Sequence, residues 1–233
     1  FFCWLVDPDK FSEERLLTQL GYINQGGVDF IFVGGSLMMA DALDSCIATI
    51  KRHTTIPVIL FPGSVNQVNQ RADGLLLLSL ISGRNPDLLI GRHVEMAPIL
   101  KQSDLEILST GYMLVDAGQR TTAAYMSNTF PIPYQKTDIA ISTAMAGEML
   151  GLNYLYLDGG SGASWPVHPD MIRGVKANTD VPLIVGGGMR SAADIHQAYE
   201  AGADVVVVGN AIEENPALLH EATAARSATN GLS

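Results

Sequence analysis

Three segments late in the chain run from apolar residues into glycines: "YLYLDGGSGA" at 154–163, "PLIVGGGMR" at 182–190 and "VVVVGN" at 205–210. Glycine lets backbone N–H groups approach an anion with no Cβ in the way, so each can help cradle a phosphate. One such segment is as readily a tight turn, but three in succession favour a shared anion site. Ser161 can add a hydroxyl there, and a short helix starting near Ala211 would aim its positive end at the same point. Arg190 serves equally well as a solvated helix-start residue. Three carboxylates hold the matching position at the ends of apolar runs: Asp7 in "LVDPDK", Asp116 in "LVDAGQ" and Asp158 in "YLYLDGG". Pro8 fixes the turn behind Asp7. A carboxylate facing an anion site is useful if a cation lies between them or a proton has to move. Mg²⁺ takes one or two carboxylates together with phosphate oxygens and water. Ser36, after "VGG", can supply a hydroxyl to the same pocket. The chain has no nucleophile-elbow motif and no Walker loop. Of its histidines, His93 is the one candidate to face a substrate, and a structural role for it is the more favoured reading.

These residues need a scaffold that brings strand ends together. Eight short apolar runs occur, at 1–6, 30–35, 58–63, 74–80, 112–118, 154–160, 182–188 and 205–210. They are continuously apolar rather than alternating, as expected of parallel strands covered on both faces. Helical stretches separate most of them: 12–25, 41–52, 138–150, 169–178 and 191–201. Ser12, Asp41, Asp138 and Ser191 stand as caps, and Gly26, Gly151 and Gly202 as stops. The pattern predicts one α/β domain over residues 1–233, a (β/α)₈ TIM barrel. Residues 62–71 leave little room between the third and fourth strands, so the third helix is expected to be reduced or missing. The polar segment 117–136, "AGQRTTAAYMSNTFPIPYQK", reads as a loop over the site. The tail from His220 is expected to fray.

Composition narrows the partners. The 233 residues are 47% hydrophobic, enough for one large core, with a formal net charge of -10. That charge argues against nucleic-acid binding, which needs a basic surface. The two cysteines, Cys3 and Cys46, have no metal-ligand spacing and suggest no disulfide framework, so a reducing cytoplasm is expected.

Taken together, "LVDPDK", "VGGS", "PIP", "YLYLDGGSGA", "VGGGMR" and "VVVVGN" resemble the geranylgeranylglyceryl phosphate synthase family, which includes bacterial heptaprenylglyceryl phosphate synthases. The motifs fall in the family's order from Asp7 to Asn210. The resemblance implies transfer of a prenyl group, geranylgeranyl first among candidates, from its diphosphate to the free primary hydroxyl of sn-glycerol-1-phosphate. The products would be an ether-lipid precursor and pyrophosphate. By similarity, Asp7 and Ser36 would hold Mg²⁺. Tyr156, Leu157, Asp158, Gly159, Gly160, Ser161 and Gly162, with Gly187, Gly188, Gly209 and Asn210, would bind glycerol phosphate. Tyr156 and Asp158 would orient or deprotonate the attacking hydroxyl. The prenyl tail would need an apolar groove, with 76–81, 90–100 and 113–115 as candidate lining. Most members carry glutamate where this chain has Asp158. One archaeal branch carries lysine at the place of Leu5, which sets this chain nearer the other branch. Homo-oligomers, dimers or hexamers, and a transient contact with a membrane surface during product release follow from the same resemblance. The rival reading is a sugar-phosphate isomerase using Asp7 and Asp116 as its acid/base pair.

Overall fold

The computed structural model describes residues 1–39, 42–215, 218, 219 and 222. Eight parallel strands close into a barrel in sequence order: β1 (Phe2–Val6), β2 (Phe30–Val33), β3 (Val58–Leu60), β4 (Gly74–Leu80), β5 (Glu106–Leu114), β6 (Tyr154–Asp158), β7 (Leu183–Gly186) and β8 (Val205–Val208). The helices are α1 (Glu13–Ile23), α2 (Leu43–His53), α3 (Arg92–Lys101), α4 (Thr122–Ser127), α5 (Thr137–Met149), α6 (Pro169–Lys176), α7 (Ala192–Glu200) and α8 (Asn210–Glu214).

Strand alternation divides the apolar residues into two cores. Trp4, Ile31, Leu75, Met113, Leu157 and Val185 point outward and pack beneath the helices. Cys3, Phe32, Ile59, Leu76, Tyr112, Tyr156, Ile184 and Val207 point inward and fill the barrel. Both faces are thus covered, which is why the runs show no polar alternation. The inward parity also sets the site: Tyr154, Tyr156 and Asp158 share one face of β6, so Asp158 stands at the barrel mouth above two tyrosines.

The expected third helix is missing. Residues 61–73 join β3 to β4 with turns and no helix. Strand β5 starts at Glu106, six residues ahead of the expected Tyr112, because its polar start hides a strand that pairs with β4 from Gly74↔Glu106 to Leu80↔Tyr112. Helix α3 follows a π-helical turn at Asp87–Gly91 and carries Pro98 within it, which breaks the sequence signal for a helix there. Ser191 is a true cap, forming a capping box with Asp194. Ser12 occupies its cap position without a side-chain hydrogen bond. Asp138 instead sits in the first turn of α5, behind Lys136 as the N-cap. Asp41 and, apart from Ala222, the tail from His220 lie outside the described residues. No helix among the described residues is long and apolar enough to cross a membrane.

Candidate active site

The loops after the strands meet at one end of the barrel, as parallel topology requires. Asp158 lies there with 6% exposure, and both its carboxylate oxygens are engaged. The Gly160 N–H donates to Oδ1 at 2.7 Å and the Tyr112 hydroxyl donates to Oδ2 at 2.5 Å. Burial raises the Asp158 carboxyl above the ordinary carboxylate range, against the lowering effect of those two donors. Tyr156, 1% exposed, lies one layer deeper, its ring stacked on Phe61 at 5.5 Å and meeting the Tyr112 ring edge-on at 5.4 Å. Burial, followed by the nearby Asp158 charge, raises both phenols well above their usual value.

The glycine segments adjoin one another. Gly187 adopts φ +83°, and a Cβ there would lie 2.6 Å from Gly160 N and 2.7 Å from Asp158 Oδ1. The turn after β7 therefore rests directly on the turn after β6, at a distance only glycine permits. Gly159, Gly160, Ser161 and Gly162 form that second turn, with Ser161 and Gly162 exposed. Gly188 packs against the Trp165–Pro166 backbone. Gly209 and Asn210 follow β8 and are half-buried. The side chain of Leu157 points into the outer core, which leaves only its backbone for the site. Arg190 donates to Ala163 O at 2.9 Å and so braces the end of the β6 loop.

Asp7 directly follows β1, half-buried, and its Oδ1 accepts the Asp9 N–H at 3.1 Å. Its carboxyl lies beside Gly35, where a Cβ would be 3.5 Å from Oδ1, and so adjoins Ser36. The buried Gln67 fixes that neighbourhood by accepting the Gly63 N–H at 3.0 Å and donating to Gly35 O at 3.1 Å. Lys10 Nζ donates to Asn210 Oδ1 at 2.7 Å, tying the loop after β1 to the loop after β8. Asp9 Oδ2 accepts the Met39 N–H at 2.7 Å. Sequence reasoning missed Tyr112, Gln67, Lys10 and Asp9 as members of this end. Their links span 46, 32, 200 and 30 residues, so no local motif announces them. Asp116 is exposed and accepts the Gly118 N–H at 3.3 Å in a local turn, an arrangement that gives an acid/base pair with Asp7 no support.

Beside these loops opens a cavity of about 870 Å³. Its walls come from the loops after β2 and β3, from Leu76, Leu77, Leu78 and Leu80 of β4, from Leu88 of the π-helical turn, and from His93 and Met96 at the start of α3. Ala123, Met126 and Ser127 of α4 close one side, so the polar segment after β5 does flank the site. His93 Nε2 lies 3.0 Å from Ser79 Oγ, and burial lowers its pKa below the ordinary imidazole value. Tyr112 lines the cavity, whereas Asp158 and Tyr156 do not. The arrangement offers an apolar trough that meets a buried carboxylate through one phenol, with glycine turns beyond.

Comparison with known proteins agrees with this geometry. Residues 2–227 match the PcrB family. A geranylgeranylglyceryl phosphate synthase of Spirosoma linguale is 53% identical over 94% of this chain and 88% of its own length. One from Korarchaeum cryptofilum is 40% identical over 90% of this chain and 86% of its own. The crystal structure of (S)-3-O-geranylgeranylglyceryl phosphate synthase from Thermoplasma acidophilum, in complex with its substrate sn-glycerol-1-phosphate, superposes with a TM-score of 0.90. It is 30% identical, covering 96% of this chain and 92% of that one. By sequence and by fold, this chain belongs to the PcrB family, alongside the geranylgeranylglyceryl phosphate synthases.

Proposed function

We propose that this chain is a prenyltransferase joining a prenyl diphosphate, geranylgeranyl diphosphate first among candidates, to the free primary hydroxyl of sn-glycerol-1-phosphate. The observation that carries the reading is the junction of an apolar cavity with a buried carboxylate and its glycine turns, which suits one substrate with a long tail and another with a small anionic head. Burying a tail in such a trough yields about 0.8 kcal/mol per methylene. Backbone N–H groups at 161–162, 187–188 and 209–210 are suited to hold the acceptor's phosphate, while those of Gly159 and Gly160 are spent on Gly186 O and Asp158 Oδ1 and shape the turn. Asp158, with Tyr156 one layer deeper on the same face of β6, would orient the acceptor hydroxyl and take its proton.

Among the described residues no group of three or more His, Cys, Asp or Glu side chains forms a metal cluster. A lone carboxylate beside a serine fits a Mg²⁺ that draws the rest of its shell from a diphosphate and water. Asp7 and Ser36 would hold that ion, which when bound neutralises charge on the departing diphosphate. An allylic diphosphate ionises readily, so the remaining task of the protein is to aim the hydroxyl at the prenyl carbon and keep water away.

We further infer that the chain self-associates, as a dimer or a hexamer, supported by the exposed Ile139, Met149 and Leu150 of α5 and its C-cap. A transient contact with a membrane surface finds support in Met39 on the loop after β2, Tyr125 on α4 and Phe130 just beyond α4, which are 83%, 80% and 89% exposed on segments that flank the cavity. Incubation with radiolabelled sn-glycerol-1-phosphate, Mg²⁺ and prenyl diphosphates of graded length tests the central reading. An organic-extractable ether is expected with at least one donor, and its absence with all of them would overturn the assignment.

A further inference from the structure

The proposed reaction needs a proton acceptor that touches the attacking hydroxyl, and the position of Asp158 bears on which group that is. Its carboxylate is almost fully buried, and each oxygen already accepts a hydrogen bond, Oδ1 from the Gly160 N–H and Oδ2 from the Tyr112 hydroxyl. Asp158 is no part of the cavity wall, and neither is Tyr156. Tyr112 belongs to both places: its side chain lines the cavity and its hydroxyl binds the carboxylate. The Tyr112 ring is held in that orientation by edge-on contacts with Tyr156 and with Phe61, at 5.4 and 5.9 Å between centroids.

We propose that Tyr112 is a catalytic residue, a proton relay through which Asp158 deprotonates the acceptor hydroxyl. The inference rests on the transferase reading above. As the acceptor's primary oxygen forms its bond to the prenyl C1 carbon, the bond from C1 to the diphosphate oxygen breaks, and its electron pair departs with pyrophosphate. The hydroxyl proton passes to Tyr112 Oη while the proton of Tyr112 passes to Asp158 Oδ2, so the phenol stays neutral throughout. Asp158 then returns the proton to water. Burial favours this division of labour, since it makes Asp158 a stronger proton acceptor and disfavours a free tyrosinate.

Three variants test the relay against the wild type, each assayed with geranylgeranyl diphosphate while sn-glycerol-1-phosphate is varied. Tyr112→Phe keeps the ring and its aromatic contacts, so the fold is expected to stand, with a melting temperature lowered by several degrees because the buried Asp158 carboxylate loses one hydrogen bond. Its single-turnover rate should fall about 100-fold or more, with KM for the acceptor changed by less than about threefold. Tyr112→Phe combined with Asp158→Asn should be no slower than Asp158→Asn alone, because groups acting as one unit do not lose activity additively. A Tyr112→Phe rate within about threefold of the wild type would overturn the relay, as would losses that multiply in the double variant. So would a rise in KM that accounts for the whole effect, which would mark Tyr112 as a binding or packing residue. In each of these outcomes the wild type still makes ether, and the transferase reading survives. An inactive wild type would instead bring down that reading and the relay with it.

Discussion

Replacing Gly187 by alanine isolates how closely the two glycine turns must approach. The chain contains its own control, because Gly187 and Gly151 both adopt φ +83°, yet a Cβ at Gly151 meets nothing within 4 Å. Gly151→Ala should therefore report backbone strain alone, about 1 kcal/mol, a loss of about 2–4 °C in melting temperature for a domain of this size. At Gly187 the added methyl would also lie 2.6 Å from Gly160 N, 2.8 Å from Gly159 N and 2.7 Å from Asp158 Oδ1. Ordinary contact begins near 3.4 Å, so the β6 turn must retreat by roughly 0.8 Å, the difference of the two distances. Overpacking of this kind costs a further 1–3 kcal/mol or so, giving a total of about 2–4 kcal/mol. The same retreat moves the Gly160 N–H that holds Asp158, and a misplacement near 1 Å at a reacting group costs roughly 100-fold in rate. Urea melts followed by circular dichroism give the stability term, and initial rates with acceptor varied give the catalytic one. Gly151→Ala should keep the activity of the wild type. If Gly187→Ala matched it in both melt and rate, the close contact between the turns would have no part in shaping the site.

Three further outcomes follow from the same geometry. Asp7→Ala should abolish turnover while calorimetry still detects sn-glycerol-1-phosphate binding; equal loss of both would make Asp7 structural. Asp158→Asn should trade activity for stability. Because burial raises the folded-state pKa of Asp158, ionisation costs nothing below the unfolded value near about 4, and the cost grows with pH until it is complete above the raised value. The variant should therefore melt higher than the wild type at about pH 8 and lose that advantage at about pH 3, and a melt difference independent of pH would contradict the buried-charge argument. Ala123→Phe should shorten the trough that Ala123 lines. Displacing two or three methylenes costs about 2 kcal/mol, so kcat/KM should fall roughly 30-fold for long donors and stay unchanged for short ones. Equal losses across donor lengths would place the tail elsewhere.

What could be read from the sequence depended on how local its signal was. All eight strands announce themselves as apolar runs because their faces are largely covered, β4 being open in part where Leu77 lines the cavity, and the glycine turns follow several of them within a few residues. Strand β5 betrays only its apolar end, since Glu106, Ser109 and Thr110 disguise the half that pairs with the start of β4. Helix α3 is obscured by Pro98. The carboxylates at Asp7 and Asp158 are visible as charges that end apolar runs, but their partners are not. Tyr112 reads as one more strand tyrosine until closure of the barrel sets it against Asp158, and Gln67 reads as a surface amide until it bridges two loops. Contacts made by topology leave no mark on neighbouring residues.

The missing helix shows how one local feature can have a distant consequence. Parallel barrels bury the outer face of every strand beneath a helix, and here residues 61–73 are too short to supply one between β3 and β4. The outward side chain of Leu77 is consequently part of the cavity wall rather than fully packed core. The cost of leaving that surface open is recovered only when something apolar fills it, which suits a site whose substrate brings a hydrocarbon tail. Polar groups from the same short connection face the mouth: Ser64, Asn66 and Gln67 line it, and Gln67 also holds the loop that carries Ser36. The segment that omits the helix thus both leaves the trough open and braces the loop beside Asp7, so inserting a full helix there should remove tail binding and disturb the Asp7–Ser36 corner together.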